Sequence, residues 1–404
     1  MDPAGETAAA LTPTGVPDPD RTTRPDRAAR RARIATFYTF GANGALYGAW
    51  VPWIPELKAD LRLSAGVLGL ALLGVAIGSM VSLPLGGAAA VRFGSPRAVR
   101  AAFVATCALA VLPGLAANGV SLFVALFVWG LAVGACDVTM NVQAVSVERR
   151  YGRSVLSGFH AMLSLGALVG AGLGSLGAAW SMPVSTHMGL VAAILLAGWL
   201  PVSRWFVPDW VDEDAETPPL FARPSGRLLA LGAVGFIVLS SEGAVGDWSG
   251  VYLRENLAVD VGAAGLGFVA FSATMTVGRL LGDRVLTRVG ARRAMQWLCA
   301  LAAIGLGGGL LTGEPAGTVV GFAVLGFGLS CTFPALVSTA GSGSAHPGAA
   351  IAAVTTCGYV GFLVGPPGIG ALTELVGLRL ALGVLPALLL VALALVTLSV
   401  PRRP

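Results

Sequence analysis

Glu242, Asp247 and Asp137 are carboxylates set in otherwise apolar sequence, and that setting gives them chemistry. A carboxylate in an apolar medium is costly unless protonated or paired, so it can take up and release a proton. Glu242 lies fifteen residues beyond Arg227, about 20 Å along a helix at about 1.5 Å per residue. It reads as a proton carrier, or as a rim residue paired with a polar neighbour. Asp247, beside Trp248, reads as a second carrier or as a group at a wet interface. Asp137 has Asn141 at i+4, so one helical face presents a carboxylate and an amide. That pair suits a proton or substrate group; alternatively Asp137 pairs with Arg92 and latches a gate. His160 is a candidate proton relay, or a helix-end imidazole bonded to a backbone carbonyl. Asn43, Tyr47 and Trp50 fall at i, i+4 and i+7 on one face. An amide, a phenol and an indole there suit a sugar-like ring through stacking and hydrogen bonds, although Tyr47 and Trp50 also fit an interfacial aromatic belt. Phe271, Phe333 and Tyr359 are further aromatics for a cavity wall or for packing.

Long apolar stretches must position these groups. They run near 34–54, 64–90, 98–117, 119–142, 157–180, 188–207, 228–250, 262–283, 293–312, 316–340, 346–371 and 376–400. A helix of about 20 apolar residues crosses the roughly 30 Å hydrocarbon layer with its backbone hydrogen bonds satisfied internally. The sequence therefore predicts an all-α membrane protein of twelve transmembrane helices, with lipid around it. Counting Arg279 with the loops, 22 of the 26 Lys and Arg residues fall on the side of the even-numbered loops and both tails; Lys58, Arg62, Arg254 and Arg379 fall opposite. Positive charge stays inside, so a multi-pass plasma-membrane protein with both termini cytoplasmic is expected.

Composition agrees. Charged residues make up 12% of the chain, about half the share of a soluble domain, and the mean hydropathy is +0.78. The basic residues are dispersed beside helix ends, which argues for topology rather than nucleic-acid binding. Cys107, Cys136, Cys299, Cys331 and Cys357 lie in spans without paired spacing, so neither disulfide nor metal is expected. No P-loop or enzymatic residue set appears, and no cofactor is implied. Residues 1–33, rich in Pro, Thr, Asp and Arg, read as a disordered cytoplasmic tail. Residues 208–226 hold Asp209, Asp212, Glu213, Asp214 and Glu216 and read as a linker between bundles at 34–207 and 227–400; 401–404 is a short tail.

The two halves repeat. The segment V-S-L-P-L-G-G-A-A-A-V-R-F-G-S-P-R, ending at Arg97, is answered by V-G-R-L-L-G-D-R-V-L-T-R-V-G-A-R-R, ending at Arg293. Gly166 and Gly170 match Gly361 and Gly365, Ala135-Cys136-Asp137 matches Ser330-Cys331-Thr332, and Trp50 answers Trp248. Glycines at small-x-x-x-small spacing let neighbouring helices approach closely. Pro366 and Pro367 are expected to break span eleven into a bending gate helix.

A repeat of six spans with topology preserved resembles the major facilitator superfamily, whose halves rock about a midplane site. The family's loop signature G-x-x-x-D-R-x-G-R-R keeps Gly87, Arg92 and Gly94 in the first copy, where Val91 stands at the Asp position and Ser95-Pro96 replace the basic pair. The second copy keeps Asp283, Arg284, Arg288, Gly290, Arg292 and Arg293. The resemblance implies a gating role for these positions. The stretch from Asp137 to His160 and G-Y-V-G-F-L-V-G-P-P at 358–367 resemble the fucose-permease-like bacterial branch, which implies proton symport of a sugar or small polar solute and an acidic site residue on the span of Asp137. Span five lacks the G-x-x-x-G-P of drug–proton antiporters. The expectation is a monomeric, proton-coupled secondary transporter of a small organic solute working by alternating access. Proton-coupled export of an amphipathic metabolite is the alternative.

Overall fold

A computed structural model describes residues 26–151, 155–209, 225–342 and 347–400. Twelve membrane-length helices carry these residues. The first six are α1 (Arg27–Trp50), α2 (Ala65–Phe93), α3 (Ser95–Leu109), α4 (Gly119–Tyr151), α5 (Leu156–Ala179) and α6 (Val184–Val202). The second six are α7 (Gly226–Val251), α8 (Leu266–Val289), α9 (Ala291–Thr312), α10 in two pieces (Pro315–Leu329 and Thr332–Gly341), α11 (Pro347–Val376) and α12 (Leu378–Ser399). Among the described residues there is no strand. Eleven of the twelve helices are apolar and long enough to cross a membrane. The exception is α1, whose first turns hold Arg27, Arg30, Arg31 and Arg33; its stretch Ile34–Trp50 carries no charge.

Two expectations change. Arg27–Arg33 are not part of a tail but the first turns of α1, because Asp26 accepts a hydrogen bond from the Ala29 N–H at 2.6 Å and caps the helix. The arginines lie over aromatic faces, Arg33 above Tyr151 at 5.1 Å and Arg31 above Trp205 at 5.7 Å. The rest of the expected tail (1–25), most of the linker (210–224) and 401–404 lie outside the described residues. Nor do Pro366 and Pro367 break α11, which runs on to Val376. Each proline removes one helical donor, and α2 packs against the site, with Gly69 facing the Pro366 carbonyl. The break falls instead in α10 at Ser330-Cys331, whereas its counterpart α4 is unbroken over 33 residues.

Small residues hold the helices together. Gly44, Gly48, Gly166 and Gly170 join α1 to α5 so closely that any added Cβ would strike backbone. Gly361 does the same between α11 and α7, where the Ser240 hydroxyl also donates to the Gly361 carbonyl at 2.9 Å. The α2–α4 seam sets Gly134 against Ser82, and the α8–α10 seam sets Ser330 against Gly278. The glycine and the serine have exchanged sides between the repeats, and the close approach survives.

Gly94 (φ 80°, ψ 142°) and Gly290 (φ 84°, ψ 148°) make the same turn between α2 and α3 and between α8 and α9. That backbone region belongs almost entirely to glycine. The first copy has a compensating network. Asp209 accepts from the Ser95 N–H at 2.7 Å and from its hydroxyl. The fully buried Gln143 donates to the Ser95 hydroxyl at 2.7 Å and to the Val207 carbonyl at 2.8 Å.

Candidate functional site

A cavity of about 250 Å³ lies between the two six-helix bundles. Its wall takes Asn43, Tyr47 and Trp50 from α1, Ser79 from α2, Asp137 from α4, Asp247 from α7 and Tyr359, Phe362 and Pro366 from α11. Seven residues singled out from sequence therefore meet in one space: Asn43, Tyr47, Trp50, Asp137, Asp247, Tyr359 and Pro366. The i, i+4, i+7 stripe of α1 faces the interior, so Trp50 is not a belt residue. It is 2% exposed and packs edge-on against Trp129 at 6.1 Å.

The two carboxylates come from opposite bundles and sit at different depths. On α4, Asp137 is fourteen residues from the Tyr151 end; on α7, Asp247 is four from the Val251 end. Asn141 donates to the Asp137 backbone carbonyl at 2.8 Å and approaches its carboxylate at 3.4 Å. Among the described residues Asp247 has no ion pair or hydrogen bond, and neither acid meets a cation. The pairing of Asp137 with Arg92 does not form: the exposed Arg92 lies over Phe93 at 5.3 Å, while Asp137 turns to the cavity. Asn43 is 8% exposed, and its amide has no partner among the described residues. The Tyr47 hydroxyl rests against Gly246, next to Asp247.

The end of the cavity towards the Glu56 and Glu255 turns is closed. Lys58 pairs with Glu255 at 2.5 Å, Arg254 with Glu56 at 3.5 Å, and Glu374 accepts from the Gly66 N–H at 2.8 Å; each contact joins the two bundles. At the other end, towards the turns at Gly94 and Gly290, Tyr359 is 46% and Met80 39% exposed, so the wall opens there.

Glu242 is neither isolated nor in the cavity wall. It pairs with Arg279 of α8 at 3.6 Å, and Arg279 also donates to the Ser164 hydroxyl of α5, across the bundle interface. Arg279, which the charge pattern groups with the loop arginines, lies inside α8 and is half-buried. His160, one turn before Ser164, packs edge-on against Phe40 at 5.3 Å. Phe271 stacks on Phe268 at 6.2 Å and is buried away from the cavity, so it is a packing residue. Phe333 packs against Gly235 and Gly358. Asn141 supports Asp137 without reaching the cavity. Gly365 packs against Ser240, Arg284 and Arg288 are exposed, and the Asp283 side chain is not among those described. Sequence reasoning missed Ser79, Phe362, Gln143 and Asp209. The first two sit on faces visible only once α2 and α11 are paired, and the last two, 66 residues apart in the chain, converge on Ser95.

The arrangement is a polar, acidic pocket between two pseudo-symmetric bundles, closed at one end. Residues 231–404 match the Major Facilitator Superfamily profile. An uncharacterised MFS-type transporter of Yersinia pestis is 34% identical over 346 residues, covering 84% of this chain and 88% of the relative. The membrane protein MosC of Rhizobium meliloti is 33% identical over 334 residues, covering 81% and 80%. Among solved structures, a bacterial homologue of the human lysosomal transporter Spinster superposes with a TM-score of 0.74 at 13% identity, covering 93% of this chain and 97% of that one. The nucleoside transporter NupG gives 0.71 at 14%, covering 92% and 100%. The shared fold, the repeat and the two bacterial relatives lead to one conclusion: this chain belongs to the major facilitator superfamily and is a multi-pass membrane transporter.

Proposed function

We propose that the protein is a proton-coupled secondary transporter of a small polar solute, working by alternating access. The cavity between the bundles carries this reading. It takes one carboxylate from each half and lies where rocking of the halves would switch its exposure from one side of the membrane to the other. Its volume, just under the roughly 300–1,000 Å³ of drug-sized pockets, suits a solute of sugar size or smaller. The resemblance to the fucose-permease-like branch agrees. Asn43, Tyr47 and Trp50 hold the solute, Tyr359 and Phe362 close over it, and Asp247 or Asp137 carries the proton. Glu242, paired with Arg279, steadies the α5–α7–α8 contact instead.

Arginine density puts the Gly94 and Gly290 turns inside the cell, so the open end of the cavity is cytoplasmic and the conformation inward-facing. Gly94, Gly290, Arg284 and Arg288 then belong to the inner gate, and the Lys58–Glu255 and Arg254–Glu56 pairs to the outer one. One chain supplies both walls, so a monomer suffices. A second reading, antiport, is favoured by one observation: both free carboxylates face the same cavity, where proton and solute could compete. Reconstituted vesicles holding a pH-sensitive dye separate the two. On addition of a solute from a small polar panel, symport acidifies the lumen as solute enters, and antiport alkalinises it. A lumen whose pH moves no more than in protein-free vesicles for every solute contradicts proton coupling.

A further inference from the structure

The charge of the cavity wall defines a class of cargo. Its ionisable residues are Asp137, Asp247, Tyr47 and Tyr359; no Lys, Arg or His contributes. A carboxylate held in a low-dielectric wall must be neutralised by a proton or by a bound cation. Glu242, which has Arg279, shows how this protein balances an acid permanently when no exchange is needed. Among the described residues the cavity acids have no such partner. Asn43 is an independent sign of a ligand: the residue is 8% exposed, lines this space, and its amide finds no acceptor or donor among the described residues. Tyr47, Trp50, Tyr359 and Phe362 line the same space as the acids, and aromatic rings attract cations presented to their faces. Pro366 also removes the helical donor of the Phe362 carbonyl, leaving an extra acceptor on a wall residue.

We propose that the cavity takes a small organic cation, its ammonium group drawn past Asp137 towards Asp247, its polar part on Asn43 and its carbon frame against the aromatic faces. A bare metal ion would leave most of a space of about 250 Å³ and its aromatic wall unused, and an organic anion would meet two carboxylates with no counter-charge. The inference rests on the transport reading above and narrows its substrate class.

The test measures the charge preference of the cavity. Ala76, a wall residue, is replaced by cysteine (Ala76→Cys) in a Cys357→Ser background, because Cys357 is the exposed cysteine among five. Val133→Cys, also in the wall, serves if the first variant does not purify as a single species. The probes are trimethylammonioethyl and sulfonatoethyl methanethiosulfonate at pH 8.5, with rates normalised to a free thiol in solution. The expected result is a preference for the cationic reagent of about tenfold or more, as unit charges within a few ångströms produce at intermediate dielectric. It should fall below about threefold in the Asp137→Asn, Asp247→Asn double variant. A wild-type preference below threefold, or a preference that survives the double variant, overturns the proposal. Sealed vesicles labelled from each side in turn separate this from the transport reading: a thiol that reacts from one side only contradicts alternating access whatever the charge ratio.

Discussion

The protein handles buried acid in two ways. Glu242 meets Arg279 at 3.6 Å, and Arg279 reaches across to Ser164, so charge is balanced by the chain itself. Asp137 and Asp247 face a cavity, and among the described residues no cation balances either. Under the proposed function, this difference assigns exchange to the cavity acids and a structural pair to Glu242. A permanently paired carboxylate gains little by releasing its partner, whereas an unpaired one must draw a charge from solution each time its site closes. Sequence alone singles out Glu242, by depth; the structure gives it a partner on the next helix and sets Asp137 and Asp247 in the cavity wall.

The sharpest way to break this comparison is to neutralise each acid. Asp247→Asn and Asp137→Asn should each lower proton-driven accumulation at least about tenfold, the effect of losing about 1.4 kcal/mol or more of coupling, while Glu242→Gln should keep at least half of it. Uptake at matched protein levels checks this, and equal losses in all three variants would erase the distinction. Next comes stability. Arg279→Gln and Glu242→Gln should each cost roughly 1–3 kcal/mol, below the range for a fully buried pair because a quarter of each side chain is exposed. The double variant should cost less than their sum, as read from unfolding in detergent. Gly290→Ala should cost a similar 1–3 kcal/mol through backbone strain alone, since an added Cβ there touches nothing.

Smaller effects sharpen the account of the cavity. Asn43→Ala should weaken apparent solute affinity by about 1–3 kcal/mol, the result of stranding a polar partner. Asn141→Ala should shift it by less, about 0.5–1.5 kcal/mol, because that amide acts only through Asp137. Val91→Asp, which restores the family's acid in the first loop, should change stability by no more than about 0.5 kcal/mol. Val91 is 91% exposed, and the anchoring of that loop has passed to Gln143 and Asp209.

The twelve helices were legible because apolar length is a local property, and the cavity stripe of α1 because Asn43, Tyr47 and Trp50 share a helical face. What stayed hidden depends on pairing between distant segments. Arg279 lies at the arginine-rich end of its span beside Arg284 and reads as topogenic, and only the pairing of α8 with α7 shows that it answers Glu242. Arg27–Arg33 looked like tail because charge masks helix, although Asp26 was there to cap it. Pro366 and Pro367 suggest a break, yet α11 runs through them while packed on α2, and nothing in Ser330-Cys331 announces the break in α10. The Gly134–Ser82 and Ser330–Gly278 exchange can be read only with both seams in view.

One measurement bears most directly on the central claim. Proteoliposomes with an alkaline lumen and acidic exterior are given a panel of small polar solutes, organic cations among them, with and without a protonophore. The account predicts that at least one solute accumulates above its external concentration in wild type, that the protonophore abolishes the accumulation, and that Asp247→Asn lacks it while Glu242→Gln retains it. Accumulation untouched by the protonophore, or retained in Asp247→Asn and lost in Glu242→Gln, would contradict it.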